Sequence, residues 1–236
     1  MNTKLIKTKG VVLAETNYSE TDKILTILTY NLGKISCIAK GARRIQSRFL
    51  ASSQIFAFSD FLLFKGSGDI YYINSAELIE SFYPLRNDFD KIECAMECVR
   101  FTKEYVLENE DVSINIIKLL LNTLYILTLD GKNINLIKDV FMIKMFCYLG
   151  YVPNFSQCTE CGKRENLVAF SLKTHGLKCR ECSNKKDLSL QEGTIAAIRY
   201  IIGSNLKNVF SFNVIEDISK EIDIFTKLYT EILKTD

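Results

Sequence analysis

The chain has 236 residues, 47% of them hydrophobic and 25% charged, with 30 Lys and Arg against 28 Asp and Glu. That length suits one or two domains with a real core, and the composition excludes both an intrinsically disordered chain and a uniformly basic one. The longest apolar run, 116–129, is interrupted by Lys118 and Asn122 and is too short to span a bilayer, so no membrane partner is expected.

Residues 1–10 carry Lys4, Lys7 and Lys9 without an apolar segment behind them, which predicts no secretory leader. The eight cysteines are therefore expected as thiols in a reducing cytoplasm. Residues 4–18 read as a long first strand with Gly10 as a bend or bulge. Residues 23–30 form the second, closed by the turn Asn31-Leu32-Gly33. In the third, 35–40, Ile35, Cys37 and Ala39 alternate with Ser36, Ile38 and Lys40, so one face is buried. A short helix is expected over 47–54. Strands four and five, 55–65 and 69–78, form a hairpin around Gly66-Ser67-Gly68. Five strands with a helix between the third and fourth is the element order of the OB-fold, a small barrel that binds single strands and oligosaccharides.

Between Lys23 and Asp60 there is no acidic residue, whereas Lys23, Lys34, Lys40, Arg43, Arg44 and Arg48 are all cationic. Such a run repels itself unless an anion neutralises it, and the planar fork of arginine suits phosphate oxygens. These six residues are the candidate DNA-binding set. Tyr71 and Tyr72 point to opposite sheet faces, so at least one of them should reach the surface or the domain junction. A surface tyrosine beside arginine makes a base-stacking platform.

Pro84 marks a boundary after which helices follow, over 88–108, 113–129 and 133–149. The third is apolar almost all round and is expected at the centre of a bundle. Gly150 follows it as a cap and Pro153 prevents resumption. Cys94 and Cys98, one turn apart, are expected as buried thiols. Two further helices are expected, over 191–202 and 215–232, the last with a one-sided apolar stripe.

Cys158-Thr-Glu-Cys161 and Cys179-Arg-Glu-Cys182 are the sharpest chemical signal in the chain. Two Cys-x-x-Cys knuckles can close a tetrahedron of thiolates on one Zn²⁺, and a closed four-thiolate site is structural. The intervening loop is polar, so the metal is expected to supply its folding energy. His175 is read as a surface residue outside the ligand set. Lys163, Arg164, Lys178 and Arg180 lie around the knuckles and are possible additional DNA contacts.

Charge is unevenly divided along the chain. Residues 1–82 carry ten basic and seven acidic side chains and residues 150–187 carry seven and four, whereas 83–149 and 188–236 are net acidic. Two basic modules set between acidic helical segments suit a polyanion partner.

Gly10-Val-Val-Leu, Tyr18-Ser-Glu-Thr-Asp-Lys-Ile-Leu-Thr, Gly33-Lys-Ile, Ala39-Lys-Gly-Ala-Arg-Arg, Lys65-Gly and Ala76-Glu-Leu-Ile-Glu-Ser-Phe together resemble the bacterial recombination mediator RecO family. The resemblance runs the whole length. It implies an α+β protein: an OB-fold nucleic-acid-binding domain over 1–82, then a helical domain over 83–236. The latter comprises a bundle of 83–152 and 188–236 with a zinc module inserted at 153–187. It also implies a cytoplasmic, non-enzymatic protein of DNA repair that binds single- and double-stranded DNA and anneals complementary strands. Such proteins work with RecR to load RecA onto DNA coated by single-stranded DNA-binding protein (SSB), whose acidic tail they bind through the helical domain. A metal-dependent nuclease and an OB-fold adaptor that binds only protein are the alternatives. Neither a deaminase His-x-Glu nor a P-loop is present in the sequence.

Overall fold

Five strands close into a barrel in the computed structural model, which describes residues 4–66, 68–107 and 114–234. They are β1 (Leu5–Asn17), β2 (Lys23–Thr29), β3 (Lys34–Ala39), β4 (Phe58–Lys65) and β5 (Ile70–Glu80). The order is β1-β2-β3-β5-β4, with β4 returning to β1; β3 and β5 run parallel and the other neighbours antiparallel. This is the OB arrangement. Alternation places Leu25, Ile27, Ile35, Cys37, Ala39, Phe61, Leu63, Tyr71 and Ile73 in one buried cluster that fills the barrel.

Two details differ from the sequence expectation. The irregularity in β1 lies between Val12 and Ala14, not at Gly10. Gly10 is required instead by close approach, since a Cβ there would stand 2.7 Å from Ile27 Cγ2 and 2.9 Å from the Leu28 carbonyl. The segment 47–54 is a succession of turns and not a helix. Its serines compete for the backbone, with Ser47 Oγ accepting from the Phe49 N–H, while Phe49 and Phe56 are drawn into the core.

The chain divides into two units, 1–130 and 131–236. In the first, the barrel is joined by a 3₁₀ turn (Tyr83–Asn87), α1 (Phe89–Tyr105) and α2 (Ile114–Thr128). Asp88 caps α1, its carboxylate accepting from the N–H groups of Asp90 and Lys91. The expected helix ends at 108 and 113, and Ser67 of the β4–β5 turn, lie outside the described residues. Cys94 and Cys98 are buried on α1, as expected.

The second unit holds α3 (Ile134–Tyr148), a sheet of β6 (Leu167–Ser171), β7 (Gly176–Cys179) and β8 (Leu188–Ser189), then α4 (Glu192–Gly203) and α5 (Glu216–Leu233). As the sequence predicts, α3 is central and packs on both α4 and α5. It ends in a Schellman cap: Tyr151 N–H bonds the Phe146 carbonyl, Gly150 N–H bonds that of Cys147, and Gly150 takes φ +92°. Among the described residues no helix is long and apolar enough to cross a membrane.

The loop between the knuckles has more of a core than its polarity suggests. Phe170 on β6 is fully buried, with ring centroids 5.2 Å from Phe155, 5.0 Å from Phe225 and 5.8 Å from Tyr229. The cysteine module is thus riveted to α5 by aromatic packing, a term that composition averaged over the loop conceals. His175 is half-buried and meets the Tyr229 ring edge-on at 5.7 Å, so it is a packing residue and not a surface one.

Candidate nucleic-acid interface and metal centre

At the end of β3 the chain enters a loop, residues 40–48, that is stitched to the β1–β2 turn. The Asp22 carboxylate accepts from the Gly41 N–H at 2.8 Å and from Thr21 Oγ1 at 2.9 Å. The Gly41 bond, then that of Thr21, holds its carboxyl below the usual aspartate range. The Arg43 N–H donates to the Thr21 carbonyl at 2.9 Å, and its guanidinium donates to the Ser19 carbonyl. Asp22 was not singled out in the sequence, because its role is a side-chain bond to backbone 19 residues away.

The six cations fall into two groups. Lys40, Arg43, Arg44 and Arg48 are exposed. Arg48 lies over the Phe49 ring at 4.7 Å and donates to the Asn74 carbonyl at 2.9 Å, which orients its guanidinium without neutralising it. The Lys40 ammonium stands 5.3 Å from the Tyr72 ring centroid. The Arg44 guanidinium has no hydrogen bond or ion pair among the described residues; only its backbone is bonded, to Gly41 and Ser47. Lys23 instead pairs with Glu15 at 2.7 Å.

Lys34 corrects the expectation outright. It is buried, and its ammonium donates at 2.6 Å to the carbonyl of Lys103 in the last turn of α1. It thus offers a positive charge to the electronegative end of that helix and is not presented to solvent. The Tyr71 and Tyr72 expectation also resolves: Tyr71 is buried, and Tyr72 is half-buried, stacked on Phe64 at 5.2 Å.

In the second unit the four knuckle thiols converge. Cys158, Cys161, Cys179 and Cys182 have Sγ atoms all within 4.8 Å of one another, with Cys161 and Cys179 at 3.6 Å. A tetrahedron of sulfurs about 2.3 Å from a metal has edges of about 3.8 Å, so the set fits a four-thiolate site with little adjustment. Burial would raise the Cys158 thiol, but the backbone N–H groups of Cys161, Cys179 and Glu160 outweigh it and hold the thiol near 6. At Cys158 the knuckle amides aimed at sulfur favour thiolate, the form a metal takes, whereas the bond to the Cys179 sulfur, first among its causes, pushes the Cys182 thiol up. Among the described residues this is the group of metal-capable side chains whose ligand atoms are gathered in this way.

The cations around it are less open than the sequence suggests. Lys178 is buried and paired with Glu160 at 2.7 Å and Asp187 at 3.6 Å, so it is an internal tie and not a DNA contact. Lys163 pairs with Glu181 at 2.6 Å, while Arg164 and Arg180 are exposed.

Comparison with known proteins matches this architecture along the chain. The family model described as Recombination protein O N terminal matches residues 1–82, and that described as Recombination protein O C terminal matches residues 86–232. The DNA repair protein RecO of Acetivibrio thermocellus is 38% identical over 227 residues, covering 95% of this chain and 90% of that protein. The protein of the same name from Caldicellulosiruptor bescii is 37% identical over 234 residues, covering 98% and 93%.

Proposed function

Because this chain belongs to the RecO family of DNA repair proteins, we propose that it is a recombination mediator that binds DNA through the cationic rim of its barrel and anneals complementary strands. The observation that carries this reading is the loop of Lys40, Arg43, Arg44 and Arg48, open to solvent and tied to the β1–β2 turn by Asp22 and Arg43. Two strands repel through their phosphates, and cations that neutralise both lower that barrier as counterions leave. Nothing on this rim resembles a base-reading helix, so binding is without sequence preference. In this reading Lys23 is a peripheral contact that must leave Glu15, Arg164 and Arg180 are secondary contacts on the second unit, and the chemistry is binding and not catalysis. The protein acts in the cytoplasm with RecR and with SSB, whose acidic tail it engages, so that RecA is loaded onto the exposed strand.

The metal of this reading is one Zn²⁺ held by Cys158, Cys161, Cys179 and Cys182; when bound, it cross-links the two knuckles. Phe155 and Phe170 anchor the module to α5 independently. Chelation is therefore expected to release one zinc per chain and lower the melting temperature while far-UV helix signal persists. Loss of the helix signal together with the metal would show instead that zinc holds up the whole unit.

The test of the function is a salt titration of affinity for single- and double-stranded oligonucleotides. With four open cations, log K is expected to fall against log salt with a slope of about −3 for single strands and slightly steeper for duplex. Binding insensitive to single-stranded DNA at any salt supports a protein-only adaptor. Cleavage of labelled DNA in Mg²⁺ supports a nuclease.

A further inference from the structure

The barrel carries nine aromatic side chains between β1 and β5 besides its cations, and eight of them are already engaged. Phe49, Phe56, Phe61 and Tyr71 are buried. Tyr30 and Phe58 meet at 6.2 Å, and Phe64 and Tyr72 stack on each other with the Lys40 ammonium over Tyr72. The ninth, Tyr18, is 61% exposed, and among the described residues its ring and hydroxyl have no partner.

Its position is specific. Tyr18 follows β1 and opens the turn that the cationic loop is tied to. Its N–H donates to the Asp22 carbonyl at 3.0 Å, and the carbonyl of the next residue, Ser19, accepts the Arg43 guanidinium. The turn is rigid: Ser19 Oγ also accepts from the N–H of Thr21 and of Asp22. A flat apolar ring is thus held out to solvent from a fixed backbone, one residue from the carbonyl that anchors Arg43. Ile45, the most exposed apolar side chain of the same loop, lacks a π-face.

We infer that Tyr18 is a base-stacking residue: while the loop arginines hold phosphates, its ring packs against an unpaired nucleobase of the bound single strand. The inference rests on the DNA-binding reading above and adds what phosphate contacts cannot supply, a preference for strands whose bases are free. Stacking on an aromatic ring is tolerant of base identity, so it does not introduce sequence specificity.

The chain contains no tryptophan, so Tyr18→Trp introduces one indole at the site. Its emission is expected to be quenched by oligothymidylate and left unchanged by an abasic deoxyribose-phosphate oligomer of equal length. Tyr18→Ala is expected to weaken binding of oligothymidylate roughly 5- to 150-fold while the salt slope and the affinity for the abasic oligomer stay the same. If Tyr18→Ala binds oligothymidylate as tightly as the parent and the indole is not quenched, the stacking role is overturned while the DNA-binding reading stands. If the parent binds no DNA at low salt, both fall. Should the alanine variant fail to fold, the tryptophan quenching alone decides between oligothymidylate and the abasic oligomer.

Discussion

Replacing Arg43, Arg44 and Arg48 together with glutamate is expected to abolish strand annealing and to leave the fold intact. The substitution changes the loop by six charges at the rim proposed to face phosphate, so the favourable release of counterions is exchanged for repulsion. Affinity for single strands should fall by at least a hundredfold at low salt, and the salt slope should shrink by about two, one step of about 0.7 for each arginine lost. The fold should survive because none of the three guanidiniums is paired with a carboxylate among the described residues; two of them donate to backbone carbonyls, of Ser19 and Asn74. Arg44→Glu alone guards against a structural effect, since its side chain has no hydrogen-bonding partner to lose. Annealing by the triple variant at the parental rate, with a normal circular dichroism spectrum, would remove this loop from the mechanism.

The second large effect concerns stability. Asp139 is fully buried on α3; one carboxylate oxygen accepts from Thr226 Oγ1 of α5 at 2.7 Å and the other has no partner among the described residues. Burial, opposed by the Thr226 bond and reinforced by Asp223, pushes its carboxyl up to about 7; Lys138 and Lys227 lower it slightly. The unfolded chain ionises near 4. Between these values the folded state binds more protons than the unfolded, so stability is highest at the acid end and falls as pH rises from about 4 to about 7. The gap corresponds to roughly 4 kcal/mol. Asp139→Asn keeps the Thr226 acceptor and cannot ionise. At pH 8 it should be more stable than the parent by about 1–3 kcal/mol, after the cost of an unpaired amide N–H₂. Near pH 5.5 the advantage should disappear. Urea unfolding of both proteins from pH 5.5 to 8 gives the difference directly and cancels the pH dependence of the four-cysteine group, which both proteins share. Parallel curves would mean that Asp139 does not hold a proton in the folded protein.

The cysteine knuckles were legible because their chemistry is local: two Cys-x-x-Cys pairs announce a metal-capable set by spacing alone, and the Sγ atoms of Cys158, Cys161, Cys179 and Cys182 gather as that spacing requires. The barrel was legible for a similar reason. Alternation at Ile35, Cys37 and Ala39 names the inner face of β3 without reference to any other strand. The segment 47–54 did not follow: a short helix was expected there, and Ser47, Phe49 and Phe56 decided for turns. Nor does the sequence separate Lys34 and Lys178 from their exposed neighbours.

Those failures have a common cause. A lysine in a sequence is a charge whose destination is unspecified, and the Lys103 carbonyl, Glu160 and Asp187 become its partners only after the chain has folded. The two ends of α4 make the same point. Its N-terminus is capped by Glu221 from α5, which accepts from the Gln191 N–H at 2.9 Å and Thr194 Oγ1 at 2.5 Å. At its C-terminal end the Lys144 ammonium of α3 reaches the carbonyls of Ile202, in the last turn, and of Ser204, the capping residue. Sequence by itself determined the barrel strands and helices α1 to α5, the gathering of the four thiols and the sign of the charge on the rim, because periodicity and spacing act over a few residues; β6 and β7, read as loop, were not among them. Tertiary structure alone decided which charges stay open to a ligand, because a buried ionic or polar group must find its partner wherever the fold brings one within reach.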